Sequence, residues 1–515
     1  MNTFVLGLIV LVYLLSLAYL GWLGYRKTNS AADYLVGGGE MNPIVMALSY
    51  GATFISASAI VGFGGVAAAF GMGIQWLCML NMLVGVVIAF IFFGLRTRRM
   101  GAKMGVSTFP QFLGKYYDSR GVRVFTAAVI FIAMPVYAAV VMKGGAVFIE
   151  EIFHVDYNIS LLIFTLVIAA YVIAGGIKGV MYTDALQACI MFVCTAFLLF
   201  YLYYYVLHMG FTEANVALGN LSSHVPDKFR ELGHQGWTMM PVGGSPQWYT
   251  LVTSLILGVG IGCLAQPQLV VRFMTVKSGR EIKRGVFIGC LFIAVTVGSV
   301  YHAGALSNLY FMRTHGAVAT EVVSDIDKII PYFIAHAMPG WFSALFMLCI
   351  LSASMSTLSS QFHTMGSALG SDIVGAYRKN GSKHSRVIRL GVLISIIVSY
   401  IICYMLPGDI IARGTSMFMG LCAVAFLPTY FCALYWKRTT KRAAMASMLT
   451  GTIAMIFCLG FVHQKESAAL GLCNTFFGRD ALFNCYPIQV IDPILYALPL
   501  SVVAIIIVTL MEKKK

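Results

Sequence analysis

Ala353-Ser354-Met355-Ser356-Thr357-Leu358-Ser359-Ser360-Gln361 puts six hydroxyl or amide side chains into nine residues of an otherwise apolar run. Read as a helix, Ala353, Ser356, Thr357 and Ser360 fall at i, i+3, i+4 and i+7, so one face carries small residues and three hydroxyl oxygens. Such a face can ligate a small cation. It can equally let two membrane helices approach closely, with the hydroxyls bonding back to carbonyls of their own helix. The stretch alone leaves both readings open.

The surroundings are those of a membrane. The 515 residues are 59% hydrophobic and 11% charged, with a mean hydropathy of +0.84, outside the range of ordinary soluble domains. Crossing the hydrocarbon core takes about 20 helical residues, and thirteen apolar runs of suitable length are predicted between residues 3 and 511. The first reads as a retained span, since no charged start or small-residue cleavage site accompanies it. The chain is therefore predicted to be an all-α polytopic membrane protein of about 13 transmembrane helices.

The net charge of +15 is a topology signal rather than a nucleic-acid signal. With the N-terminus outside, all Lys and Arg but eight fall on inner connectors, clustered at 26–27, 96–123, 272–284, 378–389, 437–442 and 513–515 with Lys178. The eight are Lys143, Lys228, Arg230, Arg313, Lys328, Arg413, Lys465 and Arg479. This asymmetry predicts an inner (plasma) membrane protein with its N-terminus outside and its C-terminus cytoplasmic. Ten of the twelve cysteines lie in or beside spans without metal-ligand spacing. Cys473 and Cys485 share the last outer loop, where a disulfide or two free thiols are both compatible with the spacing.

Other stretches look interruptible or chemically loaded. Ala47 to Ser58 is rich in small and hydroxylated residues and is followed by Gly62, Gly64 and Gly65, so this span can be broken cheaply. A break frees carbonyls that are tolerated at membrane depth only where they line a cavity or bind something. Lys143 lies seven and eight residues before Glu150 and Glu151 and either snorkels or faces a substrate carboxylate. Asp184 falls at the start of a span, where an unpaired carboxylate is costly. Gln266-Pro267-Gln268 predicts a kinked, hydrogen-bonding helix end, and the segment 209–247 is a candidate cover for the outer mouth.

Together these stretches resemble the sodium:solute symporter family. The residues carrying the resemblance are Asp33-Tyr34 with the glycines that follow, Gly51-Ala52-Thr53 with Ile55-Ser56, Gly175-Gly176 with Thr183-Asp184 and Gln187, Gln266-Pro267 with Val271-Arg272-Phe273, and Met355-Ser356-Thr357 with Ser359. The resemblance implies a LeuT-like core of two inverted five-helix repeats. The chain would then divide into a peripheral first helix and connector (1–42), a first repeat (43–208), an outer loop (209–247), a second repeat (248–436) and two peripheral C-terminal helices (437–515).

It further implies a sodium site made of the carbonyls of Ala52, Ile55 and Ala353 with the hydroxyls of Ser356 and Thr357, an oxygen-only set suited to sodium. A second sodium site is implied at Asp184, Ser359 and Ser360. Lys143, Phe54, Thr53 and Gln266 are candidate solute contacts. No cofactor is expected beyond sodium as coupling ion, and the expected partners are a small, anionic solute, sodium and the lipid bilayer, with no nucleic acid. Proline symporters carry an aspartate where this chain has Phe54. The solute implied is instead a carboxylate such as pantothenate or a monocarboxylate, with a proline-like amino acid, a sugar or sialic acid as alternatives. An enzyme is not expected, because no His, Cys or carboxylate cluster resembles a catalytic centre, and a sensor built on the same fold is a distant alternative.

Overall fold

The computed structural model describes residues 3–27, 31–39, 41–377 and 384–512. Arg378, Lys379, Lys383 and Lys513 to Lys515 of the basic clusters lie outside these residues, as do the side chains of Asp33 and Arg386. The described chain is helical, with one isolated bridge pairing Met41 and Val276. Among the described residues, eleven helices are long and apolar enough to cross a membrane, and a bent pair makes twelve. The shorter apolar limb Tyr157–Ala169 supplies the thirteenth crossing that the sequence predicts.

In chain order the helices are α1 (Thr3–Arg26), the bent pair α2 (Pro43–Phe54) and α3 (Ser58–Phe70), and α4 (Met72–Met104). The short connector helix α5 (Phe109–Tyr116) precedes α6 (Arg120–Phe153). Next come α7 (Tyr157–Ala169), α8 (Ile177–Val206) and α9 (Pro246–Ala265), then α10 (Pro267–Arg272), α11 (Gly279–His315) and the connector helix α12 (Ile326–Ala337). The chain closes with α13 (Gly340–Tyr377), α14 (Val387–Met405), α15 (Ile411–Tyr435), α16 (Lys441–Val462) and α17 (Ile494–Met511).

Local sequence sets these boundaries. Asn42 caps α2 by accepting from Ile44 N–H, with Pro43 at the first helical position. Thr108 caps α5 through Gln111 N–H, and Ser278 with Glu281 forms a capping box at the start of α11. The segment Tyr157–Tyr201 crosses twice. Tyr157 meets Cys403 and Phe197 meets Trp341 on one side of the bundle, whereas Gly179 meets Gly24 on the other. The side bearing the basic connectors is called the basic face below, and the side bearing the long connectors the loop face.

The hydroxyl-bearing helix is the pillar of the bundle. In α13, 89% of the most apolar window is buried, against 17% in α1 and 28% in α17, so both ends of the chain supply peripheral spans. α1 still reaches inward, since Tyr13 accepts hydrogen bonds from Gln187 and Ser352. α11 presses on α3 through glycine: a Cβ on Gly304 would collide with the Gly64 carbonyl oxygen. The segment 209–247 grips the end of the same half-helix, as Trp237 Nε1 donates to Ala68 O (2.6 Å) and Met72 N to Trp237 O (2.7 Å).

Reciprocal aspartate caps tie α12 to the connector before α15. Asp327 Oδ2 accepts from Ile410 N and Ile411 N (3.0 and 3.2 Å), and Asp409 Oδ1 accepts from Ile326 N (2.6 Å). Burial, and next the nearby Asp325 charge, push the Asp327 carboxyl up from 3.8 to about 7 against the opposing pull of Lys143. Between about pH 4 and 7 the folded protein therefore keeps a proton that the unfolded chain has released, and stability falls as pH rises through this window. Asp327→Asn is expected to flatten that part of the curve, which thermal unfolding midpoints across pH 4–8 would measure.

Lys143 belongs to this loop-face joint. It is buried, at 6% exposure, and donates to the carbonyls of Leu406 (3.4 Å) and Pro407, so its ammonium is held by the connector after α14 rather than reaching solvent. The carbonyls just past the end of α14 lack helix partners, and a long cationic side chain supplies them with a donor. Cys473 and Cys485 are both free thiols, the first buried and the second exposed.

Candidate sodium and solute sites

Two breaks define the centre. α2 and α3 meet at 56°, and the α2 ladder ends with Ile55 N–H donating to Gly51 O (2.8 Å), where Ile55 adopts an extended conformation. The carbonyls of the last turn then take hydroxyl donors from α13. Ser356 Oγ donates to Ala52 O (2.8 Å) and Ala353 O (3.2 Å), and Thr357 Oγ1 donates to Thr53 O (3.0 Å). Ala52, Ala353 and Ser356 thus converge as the sequence expects. Thr357 lies one residue away from the expected partner, on Thr53, and Ile55 is buried at the break itself.

Beside this set lies a buried ion pair. Arg272, at the end of α10, is 1% exposed and Asp184 on α8 is fully buried, with Arg272 Nη2 2.9 Å from Asp184 Oδ2. The guanidinium also donates to Thr53 Oγ1 and Ser360 Oγ (both 2.5 Å), to Ser49 Oγ (3.0 Å) and to Gln268 O (2.6 Å). Ser49 in turn donates to the same Asp184 oxygen (2.7 Å), while Asp184 Oδ1 has no hydrogen-bond partner. The structure therefore brings Asp184, Ser360 and Thr53 together around a protein cation. Ser359 does not join them, since its hydroxyl donates to Ser356 O (3.1 Å) in its own helix.

The second break falls at Gln266, extended between α9 and α10. Gln266 Nε2 contacts Met419 Sδ (2.9 Å), and its Oε1 is buried without a partner. The Tyr137 hydroxyl of α6 lies alongside both Ser56 and Gln266, and its ring stacks on Phe418 with centroids 5.0 Å apart. The two breaks thus face each other across Tyr137. Phe54 points away from this centre, onto Gly85 of α4. Of the candidate solute contacts, Gln266 is in place, Thr53 belongs to the Arg272 cluster, and Lys143 and Phe54 stand elsewhere.

Tyr137, Phe418 and Met419 were not identifiable in the sequence. Among 26 tyrosines, 35 phenylalanines and 28 methionines, only the proximity of Tyr137 to the two breaks singles them out. Tyr137→Phe is expected to raise the solute KM up to about tenfold, the scale of one hydrogen bond, while leaving the sodium dependence of uptake nearly unchanged. Uptake measured across solute and sodium concentrations separates the two.

Two interrupted helices meeting at their breaks, with freed carbonyls and hydroxyls at the junction, are the arrangement with which secondary transporters bind solute and coupling ion. The sodium:solute symporter family matches residues 34–451, and the chain belongs to that family.

Among curated relatives, the high-affinity proline transporter PutP of Bacillus subtilis (strain 168) is 27% identical over 443 residues, covering 85% of this chain and 88% of the relative. The sodium/proline symporter of Escherichia coli (strain K12) is 24% identical over 450 residues, covering 86% of each. Among solved structures, a Na+-coupled sialic acid symporter in a substrate-bound outward-open state superposes with a TM-score of 0.77 at 17% identity, covering 98% of this chain and 97% of that one. The nucleobase-cation-symport-1 family transporter MHP1 gives 0.53 at 12% identity, covering 93% and 96%. The chain is thus a sodium-coupled solute symporter on a LeuT-like fold.

Proposed function

We propose that this symporter imports a small organic carboxylate by alternating access, with sodium at Ala52, Ile55, Ala353, Ser356 and Thr357 and the solute at the junction around Tyr137. The observation that carries the reading is the meeting of the two breaks at Tyr137, Ser56 and Gln266. These are neutral donors, placed where the N-terminal end of the half-helix α3 favours negative charge. Asp184, the carboxylate of the neighbouring cluster, is paired with Arg272, which leaves the junction without an acid to hold an ammonium group. Pantothenate or a monocarboxylate fits this chemistry. The names of the curated relatives favour a second reading, an amino acid such as proline.

Sodium stabilises the packing of α13 on the break in α2–α3, and solute bound at Tyr137 joins α6, α9 and α15 across the junction. A second sodium binds Asp184 and Ser360 once Arg272 swings away. Two sodium ions with one monoanion carry a net charge, which contributes about 2.3 kcal/mol per 100 mV. The protein sits in the plasma membrane with its loop face outside, so an impermeant maleimide should label Cys485 in intact cells.

Uptake into proteoliposomes of labelled pantothenate, lactate and proline, with and without a sodium gradient, tests the proposal. Sodium-driven pantothenate or lactate uptake is expected. Uptake of proline alone would replace the carboxylate reading with the amino-acid one, and uptake indifferent to sodium would remove the coupling.

A further inference from the structure

Two carboxylate–arginine pairs stand at the ends of one buried polar seam. At the upper end is Asp184 with Arg272. At the lower end, on the basic face, Asp372 Oδ1 accepts from Arg123 Nε (3.1 Å) and Thr108 Oγ1 (3.0 Å). In each pair one carboxylate oxygen is engaged and the other, Asp184 Oδ1 or Asp372 Oδ2, has no hydrogen-bond partner although its side chain is fully buried. Between them lies a small cavity of about 20 Å³, lined by Arg272, Ser360, Gln268, His363, Ser367 and Asp372 among others. Gln268 is 1% exposed with neither amide atom bonded, and Ser367 is 5% exposed with its hydroxyl unbonded. Unpaired polar atoms at this burial are costly and uncommon.

Along α13, Ser360 to Asp372 is twelve residues, or about 18 Å at the helical rise. The last turns, Ala368–Val374, are wound as a π-helix, a widening that recurs at functional sites. The floor of the seam is closed by the connector helix α5 and the start of α6. Beside the two bonds to Asp372, Gln111 Nε2 donates to Ser371 Oγ (2.8 Å) and Arg123 Nη2 to Ser371 O (2.8 Å). The clamp thus consists of four hydrogen bonds to two adjacent residues.

We infer that Asp372 is a cation-transit site on the basic face. A sodium ion leaving the hydroxyl face of α13 passes Gln268 and Ser367 and is held by Asp372 Oδ2 until the α5 clamp opens. The inference rests on sodium coupling through α13. The unbonded oxygens of Gln268, Ser367 and Asp372 form an oxygen-only set, the chemistry that suits a hard monovalent cation. A clamp alone would need Asp372 Oδ1 and Ser371, but it gives no use for the unbonded atoms above them.

The test is trans-inhibition in oriented proteoliposomes, with sodium varied separately on each side and uptake driven from the loop face. Asp372→Asn and Ser367→Ala are each expected to raise the basic-face sodium concentration for half-inhibition at least fivefold, while the loop-face half-saturation stays within twofold of wild type. Arg123→Gln opens the clamp but keeps the carboxylate, and is expected to leave basic-face inhibition as strong as wild type or stronger. If Asp372→Asn and Arg123→Gln shift basic-face inhibition equally, or Ser367→Ala does not move it, Asp372 is a clamp residue only and the inference falls. Loss of loop-face sodium dependence in the wild type would instead refute the sodium reading on which it rests.

Discussion

Replacing Arg272 with methionine is expected to be the most damaging single change in the chain. It strips the counter-charge from a fully buried Asp184 carboxylate, leaving only the hydroxyls of Ser49 (2.7 Å) and Thr53 (3.3 Å) to hold it. Breaking a buried pair from one side costs about 3–5 kcal/mol, so a marked fall in the unfolding midpoint and loss of uptake should follow. The more informative readout is ion dependence. On the proposed second site, sodium takes the place of the guanidinium among Asp184, Thr53 and Ser360, so it should raise the midpoint of Arg272→Met more than that of the wild type, with choline inactive. Equal sodium shifts in both proteins would show that Arg272 and the ion do not compete for these oxygens.

The second large effect is expected at Ser356, whose hydroxyl joins the carbonyls of Ala52 and Ala353 across the α2–α13 contact. Ser356→Ala removes one ligand oxygen and leaves both carbonyls without that donor. An oxygen ligand lost from a cation is comparable in scale to a hydrogen bond to a charged group, about 1.5–3 kcal/mol, so the sodium concentration for half-maximal uptake should rise about tenfold or more at unchanged solute KM in saturating sodium. Unchanged sodium dependence would return the hydroxyl face to a packing role alone.

The physical basis of these two predictions differs in how far it could be read in advance. The Ser356–Thr357 pair is legible because a 3.6-residue period puts both hydroxyls on one helix face, and the break in α2–α3 because small residues run from Ala47 to Ser58. Nothing periodic marks Arg272 as the partner of Asp184. The two are 88 residues apart and meet only because α8 and the end of α10 both pack against α2. Lys143 is a lysine in an apolar span whose hydrogen-bond partners are two carbonyl groups in a distant connector, which no local pattern marks. The family resemblance joins Ser359 to Ser360, yet Ser359 lies off the Ala353–Ser356–Thr357–Ser360 stripe and turns back onto its own backbone.

What the amino-acid order determined by itself is the membrane class, the thirteen crossings, the lopsided distribution of charge and the two interruptible helices. Each follows from hydropathy over about 20 residues, or from the local cost of glycine, proline and hydroxyl side chains in a helix. What the tertiary structure decided is which polar groups share a cavity. It gathers Tyr137, Ser56 and Gln266 at the facing breaks, Arg272 with Asp184 above the seam, and Arg123 with Asp372 below it. These pairings join residues far apart in the chain, and no short-range pattern encodes them. Burial leaves each charge or hydroxyl only the partners that packing brings within hydrogen-bonding distance.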